Sequence, residues 1–286
     1  YEGYEGLWQT PGEGSGTGLA LAIKSEIPLQ GINNFPIHPL TIKGTNMHLP
    51  MDILDSGGQL RKPNGDDALP NDVLEESCVL DLRKMNEEDK LWYKNTLLNI
   101  KNRTNLDINT DVIPISPSVI TTGGIPVDSN GRVTVNEGKL WFTGLYAAGQ
   151  SSNNGMHGNG LLPGNLLLHA LLSGKIAGLS ASSWAVKENF SNSSLIESEE
   201  QKSLNVLNKI HKPEGKTVGQ ISTILNSLAN DLLNSPDETT GIKKSFKKLQ
   251  ESGIRMTDTS KTMNTELLMA MQVQNLILIL EKILLE

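Results

Sequence analysis

The segment between residues 144 and 167 holds the residue types and spacings best suited to binding chemistry. An apolar run at Leu145–Ala148 is typical of a strand in a parallel sheet, and glycines recur through the following turn until a helical pattern begins at Asn165. Glycine lets the main chain approach a flat ligand closely, and the start of a helix offers backbone N–H groups to anionic groups. The segment therefore predicts a strand, a turn and a helix that hold a dinucleotide against the backbone. The alternative is a strand–turn–helix with a purely structural role.

The sequence before this segment predicts alternating helices and strands that would position it. A helical run near the start is closed by Pro28, which cannot continue a helix. The apolar pattern predicts a helix over Leu19–Ile27, a strand over Cys78–Leu82, a helix over Glu87–Lys101 with Trp92 and Leu97 facing inward, and a strand over Asp111–Ile115.

The residues after this segment predict a helical region. We interpret the Ser-, Asn- and Glu-rich stretch Glu188–Glu200 as a solvated linker or loop by composition. Thr239 and Thr240 indicate the cap of a short helix, and Asn264–Leu285 indicates a long one. The apolar stripe of that long helix fits a core position better than a partner-binding surface. Apolar residues at helical spacing predict one further buried face: Val218, Ile221, Leu225, Leu228, Leu232 and Leu233.

Bulk composition restricts the possible classes of function. The 286 residues suffice for one large or two modest domains. A net charge of −7 and a pI near 5.3 argue against nucleic-acid binding. The single cysteine, Cys78, fits a reducing compartment, and no metal site is predicted. The best apolar run, Leu276–Leu285, is too short to cross a membrane, so we expect a soluble polypeptide. Both ends look cut, and we expect a fragment of a longer chain.

Two motifs give the sequence a resemblance to a known family. Residues 123–133 are GGIPVDSNGRV, where the family has GGIPxDxxGRV, and residues 144–150 are GLYAAGQ, where it has GLYAAGE. The two motifs occur in the family's order and at its separation. In these motifs the chain resembles the C-terminal part of the succinate dehydrogenase and fumarate reductase flavoproteins, a family that includes L-aspartate oxidase.

The resemblance covers nearly the whole chain and implies its organisation. It implies an α/β and α+β fold with three parts: a remnant of a Rossmann-like FAD-binding domain, a capping domain that closes over the substrate, and a helical C-terminal domain. The implied boundaries are residues 1–38 for the edge of the first FAD-domain segment, 39–118 for the capping domain, 119–187 for the second FAD-domain segment and 188–286 for the helical domain.

The resemblance also implies FAD as the cofactor. Gln150 stands where the family has a ribose-binding acid, Ser15 where it has the acid of a Gly-Asp-Gly turn, and Leu166 where it has a serine. Asn165 and Leu167 complete the implied cofactor-binding set, in which backbone contacts are kept while polar side chains are lost. The Gly-x-Gly-x-x-Gly turn that grips the pyrophosphate in the family is absent from the sequence.

Most substrate-binding side chains of the family are replaced. His38 matches the histidine of the family's FHPT motif, and a histidine hydrogen-bonded to the backbone is the alternative for that position. Leu54 stands where the family has its proton-transferring arginine, so no catalytic residue is retained. Leu161 replaces an arginine that clamps the substrate, and Val119 or a deletion replaces a clamp histidine. Leucine in place of two arginines puts an apolar wall against a dianion.

These replacements leave two functions open. One is an FAD-dependent oxidoreductase subunit of tricarboxylic acid cycle or electron-transport type, with the family's succinate/fumarate hydride transfer adapted to a less charged substrate. The other is a catalytically degenerate homologue that serves as a scaffold or assembly subunit. In either case, a missing N-terminal half could supply the pyrophosphate site. The resemblance implies iron–sulfur and membrane-anchor subunits as partners, and a cytoplasmic location that can be peripheral to the inner face of a membrane.

Overall fold

The protein divides into two compact units. The structure is a computed structural model that describes residues 16–45, 47–119, 122–157, 165–189, 192–234, 239–258, 260 and 262–285. The continuous unit contains residues 35–119, and the discontinuous unit contains residues 16–34 together with the described residues from 122 onward. Each unit has buried apolar residues of its own.

Helices and strands alternate in the first half of the chain, and helices dominate the second half. The helices are α1 (Thr17–Lys24), α2 (Asp72–Glu75), α3 (Glu87–Trp92), α4 (Lys94–Thr104), α5 (Asn165–Ala185), α6 (Ser193–Ile210), α7 (Val218–Asn234), α8 (Thr239–Ser252) and α9 (Thr265–Leu285). The strands are β1 (Ile37–Ile42), β2 (Gln59–Arg61), β3 (Cys78–Asp81), β4 (Ile113–Val119), β5 (Ile125–Pro126), β6 (Arg132–Val135), β7 (Leu140–Tyr146), β8 (Ser152–Asn153), β9 (His211–Thr217) and β10 (Ile254–Arg255). Short 3₁₀ helices occupy Met51–Ile53 and Gly149–Ser151.

The continuous unit is built on an antiparallel sheet with the strand order β1-β4-β3-β2. The β1–β4 register slips between His38 and Thr41. Pro39 lies within that interval and cannot donate a ladder hydrogen bond, which accounts for the irregularity. The sheet and its helices enclose an apolar core. The fully buried members of this core are Leu40, Ile42, Leu49, Ile53, Leu80, Leu82, Ile100 and Ile113.

The predicted helix over Glu87–Lys101 is two helices, and one of its predicted core residues is exposed. Tyr93, with φ −87° and ψ 12°, separates α3 from α4. Its side chain is buried in the core, whereas Trp92 is 80% exposed. The prediction for Trp92 was therefore wrong, because the break at Tyr93 shifts the helical phase. Leu97 packs against the core as predicted.

A buried carboxylate organises the edge of this sheet. Arg83 donates two side-chain hydrogen bonds to Asp81, each of 2.9 Å, and Arg61 donates a third of 3.4 Å. Only 4% of the Asp81 side chain is exposed. The hydrogen bonds from Arg83 hold the pKa of Asp81 far below its usual range, against the opposing effect of burial.

The discontinuous unit begins its second segment with an antiparallel hairpin of β6 and β7. Asn136, Glu137 and Gly138 all have positive φ, which is the backbone conformation that a tight hairpin turn requires. The predicted parallel strand at Leu145–Ala148 was therefore wrong, since the paired neighbour of β7 among the described residues is antiparallel. Parallel pairing occurs instead between β5 and β8.

The stretch interpreted as a linker, Glu188–Glu200, is largely helical. Its second half belongs to α6, which begins after Asn192. The Asn192 side chain accepts a hydrogen bond from the Ser194 N–H, so the polar composition that suggested a loop supplies a helix cap. The helix ends at Ile210, which is buried.

The remaining helices pack as the apolar spacing predicts. Ile221, Leu225 and Leu228 of α7 are buried. The Asn264 side chain accepts a 2.8 Å hydrogen bond from the Leu267 N–H and caps α9. Thr239 is the first residue of α8, and the residues before it, where a cap would lie, fall outside the described part of the chain. The stripe of α9 is a core face, as expected; its fully or nearly fully buried residues include Ala270, Val273, Leu276, Ile279, Leu280 and Ile283.

Within the described residues, two helices are long and apolar enough to cross a membrane by length and composition. They are α5 and α9, with 21 residues each. This differs from the expectation based on the apolar run Leu276–Leu285, because that run is only the last part of α9. Core helices of water-soluble domains have the same length and composition, and the most apolar window of α9 is 44% buried against 11% for α5.

We predict that Asp81→Asn lowers the free energy of unfolding by about 2 kcal/mol at pH 7, a loss typical of a charge-assisted hydrogen bond. The folded pKa of Asp81 lies below the unfolded value of about 3.9, so this stabilisation is complete above about pH 4 and is lost as the pH falls through the folded value. Urea denaturation at pH 7 and pH 3 measures both effects.

The matched control is Asp67→Asn, because the 82%-exposed Asp67 side chain also bonds Arg61. Its expected loss is below about 0.5 kcal/mol. Equal losses in the two variants, or a loss for Asp81→Asn that does not shrink at pH 3, would contradict the assignment.

Candidate functional site

The turn after β7 is fastened to α5 by hydrogen bonds. Gly149 has φ +61°, a conformation that favours glycine. Its N–H donates to Ser173 Oγ over 2.8 Å, and Ser173 Oγ donates in turn to the carbonyl of His169 over 2.5 Å. Strand, turn and helix thus form one rigid feature, with the order that the sequence predicted.

The cofactor-binding positions implied by sequence lie on this feature where the structure describes them. Gln150 is exposed in the turn, and its side-chain amide makes no hydrogen bond with another described residue. Asn165, Leu166 and Leu167 form the first turn of α5, which carries no acidic side chain. Ser15 lies outside the described residues.

These groups fit a flavin nucleotide. The first-turn N–H groups of α5 have no intrahelical acceptor, and the helix dipole places partial positive charge there. Gln150 offers both a donor and an acceptor for a hydroxyl group. The side-chain changes at Leu166 and Leu167 leave the backbone donors intact, so the fit rests on main-chain groups and on one amide.

The glycine pair at residues 123 and 124 has a packing role. Gln30 and Gly124 exchange two backbone hydrogen bonds of 2.9 Å. A Cβ on Gly123 would collide with the backbone of Gly31, and a Cβ on Gly124 would lie 2.6 Å from the Ser151 carbonyl oxygen. Close passage of backbone segments therefore accounts for both glycines without a ligand.

Two histidines face each other beside the turn. His157 Nε2 and His169 Nδ1 lie 3.0 Å apart, so one nitrogen donates and the other accepts. Burial lowers the pKa of His157, and burial followed by the charge of His157 lowers the pKa of His169. The Nε2 of the buried His169 has no hydrogen-bond partner among the described residues. No sequence motif indicates this pair, because the two histidines lie 12 residues apart and meet only when α5 folds back against the turn.

In the continuous unit, His38 makes the contact that its structural alternative predicts. His38 Nε2 donates to the Leu49 carbonyl over 2.9 Å. Desolvation by burial lowers the pKa of His38, so the ring is held neutral near pH 7. A substrate-binding role for His38 stays a prediction.

A polar cluster beside His38 was not found from sequence. The His48 ring lies edge-on to His38, with 5.9 Å between ring centroids. Thr41 Oγ1 is 3.0 Å from His48 Nδ1 and 2.6 Å from Ser118 Oγ. The pairing of β1 with β4 brings Ser118 opposite His38, and a separate bridge between Thr41 and His48 brings His48 to the same place.

Leu54 supplies an apolar contact where the family has an arginine. It follows the 3₁₀ helix Met51–Ile53 and packs against the core of the continuous unit. The arginines at Arg61 and Arg83 are both bonded to Asp81, so neither replaces the missing charge. Leu161 lies outside the described residues, and Val119 ends β4, paired with Ile37.

Comparison with known proteins decides the family. A sequence profile described as the FAD binding domain matches residues 10–167, more than half of the chain. The chain belongs to this FAD-binding family. FAD is therefore its cofactor, and the resemblance that the sequence motifs implied to the succinate dehydrogenase, fumarate reductase and L-aspartate oxidase flavoproteins is confirmed.

Individual relatives support the same fold over part of their length. L-aspartate oxidase from Clostridium perfringens is 27% identical over 192 residues, which cover 59% of this chain and 42% of that protein. The fumarate reductase flavoprotein subunit from Haemophilus influenzae is 28% identical over 163 residues, which cover 54% of this chain and 26% of that protein. The FAD-binding chain thus spans half or less of the length of these curated relatives.

A solved structure of E. coli quinol fumarate reductase matches the fold. The TM-score is 0.81 at 20% identity, and the match covers 96% of this chain and 55% of that one. The predicted α/β and α+β fold class, with flavin-domain, capping and helical parts, is confirmed. The domain boundaries given from sequence stay a prediction.

We predict that the His157–His169 pair makes the stability of the discontinuous unit pH-dependent. Both folded pKa values lie below the unfolded value of about 6.5, so the unfolded state binds more protons. The pair's contribution is complete above about pH 6.5 and weakens as the pH falls below it. The melting temperature should drop between pH 7 and pH 5.5, and His157→Gln should flatten this dependence. An unchanged slope in that variant would contradict the prediction.

Proposed function

We propose that this chain is part of an FAD-dependent oxidoreductase of the succinate dehydrogenase and fumarate reductase type. The observation that carries the proposal is the coincidence of the FAD-binding match with the rigid strand–turn–helix at β7, Gly149–Ser151 and α5. The turn packs against Ala170 and Ser173 of α5, so the exposed Gln150 belongs to the same feature as a helix whose first N–H groups have no intrahelical acceptor.

The chain's own groups would bind and orient the cofactor. FAD, when bound, supplies the hydride acceptor or donor. We assign the Gln150 amide to a ribose hydroxyl and the backbone N–H groups of Leu166 and Leu167 to an electron-rich edge of the ring. The positive end of the α5 dipole stabilises negative charge at that edge.

The substrate in this proposal carries less charge than a dicarboxylate. A dianion needs charge-assisted hydrogen bonds, best supplied by bidentate arginine. Leu54 faces the apolar core instead, and the two arginines of the continuous unit bonded to Asp81 are committed to it. His38 is held neutral and bonded to backbone. These features support a substrate with one carboxylate or none.

We further propose that a second polypeptide segment completes the flavin site and covers α5. The sequence has no pyrophosphate-binding glycine turn, and the chain spans half or less of the length of its relatives. Large apolar side chains exposed in a contiguous patch mark a surface that another element covers. On α5, the apolar residues at least 43% exposed are Leu167, Leu168, Leu171, Leu172, Ile176 and Leu179.

The second candidate function is a scaffold or assembly subunit without catalysis. The replacement of both family arginines and the backbone bond of His38 favour it. In either role, relatives named as flavoprotein subunits support partners of iron–sulfur and membrane-anchor type. The acidic charge and lone cysteine support a cytoplasmic location, with membrane attachment through those partners.

We predict that the purified full-length protein is yellow and releases about one FAD per chain on denaturation. Gln150→Leu should weaken FAD binding by about tenfold, because one amide hydrogen bond is lost and its partner stays unpaired. Gln150→Glu, which restores the family's acid, should bind at least as tightly as the natural protein. Titration of the apoprotein followed by flavin fluorescence measures all three affinities.

The control is Gln201→Leu, an exposed glutamine on α6 that should leave the affinity unchanged. Bleaching of the flavin absorbance by a monocarboxylate but not by succinate would support the substrate assignment. A well-folded, colourless protein that takes up no FAD would overturn the oxidoreductase proposal in favour of the scaffold.

A further inference from the structure

A cavity of about 370 Å³ opens in the helical part of the discontinuous unit. Its lining comes from α1, α6, β9, α7, α8, β10 and α9, all within that unit. The volume lies within the roughly 300–1,000 Å³ typical of small-molecule sites. None of its lining residues belongs to β7, the turn Gly149–Ser151 or α5, so the cavity is separate from the proposed flavin site.

The floor of the cavity is apolar and rigid. Ile210, Ile221, Leu249 and Ile254 line it, and each is at most 4% exposed. Their buried side chains belong to three helices and a strand, so no single flexible loop forms the floor. A floor of branched and aliphatic side chains favours the apolar body of a ligand over water.

The mouth of the cavity is cationic. Lys24, Lys209 and Lys212 line it, and all three are exposed. Lys24 Nζ donates to Asn275 Oδ1 over 3.3 Å, which anchors it without neutralising its charge. Lys209 and Lys212 have no ion-pair partner within the described part of the chain.

The acidic side chain of the lining is already engaged. Glu281 is the carboxylate among the lining residues, and it accepts a 3.0 Å hydrogen bond from Gln250 Nε2. Three lysines and one glutamate leave an excess of positive charge around the cavity. In a chain with a net charge of −7, this local excess runs against the overall charge.

The backbone fixes the path of one of these lysines. Gly253 has φ +71°, and a Cβ at this position would collide with the aliphatic stem of Lys212. The stem therefore packs against the glycine, whose carbonyl accepts a 3.1 Å hydrogen bond from the Lys216 N–H next to the parallel pairing of β9 with β10. This packing restricts the Lys212 stem, which reduces the entropy lost when its ammonium group binds an anion.

We propose that this cavity binds an amphipathic organic anion, with a carboxylate or phosphate head at the lysines and an apolar body against the floor. The head would supply the counter-ion that Lys209 and Lys212 do not have among the described residues. The apolar body would remove the floor from water. The proposal does not depend on flavin binding or on oxidoreductase activity.

Isothermal titration of the full chain with four probes tests the site. Decanoate and decyl phosphate carry the two possible heads, decanol has the tail without charge, and inorganic phosphate has the head without a tail. We expect saturable 1:1 binding of at least one charged amphiphile, with decanol and inorganic phosphate at least about tenfold weaker. The tighter of decanoate and decyl phosphate identifies the head group.

Paired lysine variants locate the binding. The double variant Lys209→Gln/Lys212→Gln should bind the preferred probe with an affinity at least about tenfold lower. The control Lys247→Gln/Lys248→Gln removes the same charge from exposed positions on α8 that do not line the cavity. Its affinity for the preferred probe should stay within about twofold of that of the natural protein. Circular dichroism checks that both variants fold.

Three outcomes would overturn the proposal. If decanol bound as tightly as decanoate and decyl phosphate, the lysines would recognise no head group. Equal weakening in both double variants would show that general surface charge is responsible. No saturable binding of either charged amphiphile would remove the site altogether, while FAD binding, measured separately, would be unaffected.

Discussion

The close passage of backbone segments at Gly123 and Gly124 is the constraint on which the rest of the discontinuous unit depends. The two hydrogen bonds between Gln30 and Gly124 join the segment after α1 to the segment before β5. On its other side Gly124 abuts Ser151, at the end of the turn that follows β7. Side chains at these positions would force the three segments apart, so glycine there is a requirement of packing.

The strand–turn–helix proposed to bind flavin follows from this crossing. The parallel pairing of β5 with β8 sets where the turn Gly149–Ser151 can lie, and Ser173 then ties the turn to α5. The start of α5 and the exposed amide of Gln150 are consequently held on one rigid element. Binding groups on a preorganised backbone tolerate the loss of individual side chains, which explains how the family match persists although an acid and a serine have been replaced.

The charged groups of the continuous unit serve its own stability. Arg61 and Arg83 are directed to the buried Asp81, and His38 donates to a backbone carbonyl. Leu54 adds to the apolar core. Each of these choices satisfies a buried group within the unit, and each withdraws a donor that a dicarboxylate would need. In the helical part of the discontinuous unit, the exposed Lys209 and Lys212 beside the cavity have no ion-pair partner among the described residues.

The sequence by itself determined the family, the strand at β3, and the long helix α9 with its core stripe, because these depend on local periodicity and on residues with strong backbone preferences. It could not determine that Trp92 faces solvent, that Glu188–Glu200 is mostly helix, or that β7 pairs with an antiparallel neighbour. Those outcomes depend on the burial of the Tyr93 and Ile210 side chains and on the turn at Asn136, which reverses the direction of the chain. Likewise, the His157–His169 pair and the lysine-lined cavity join residues far apart in sequence. Only tertiary packing decides such contacts, since side-chain proximity across elements leaves no periodic signal in the chain.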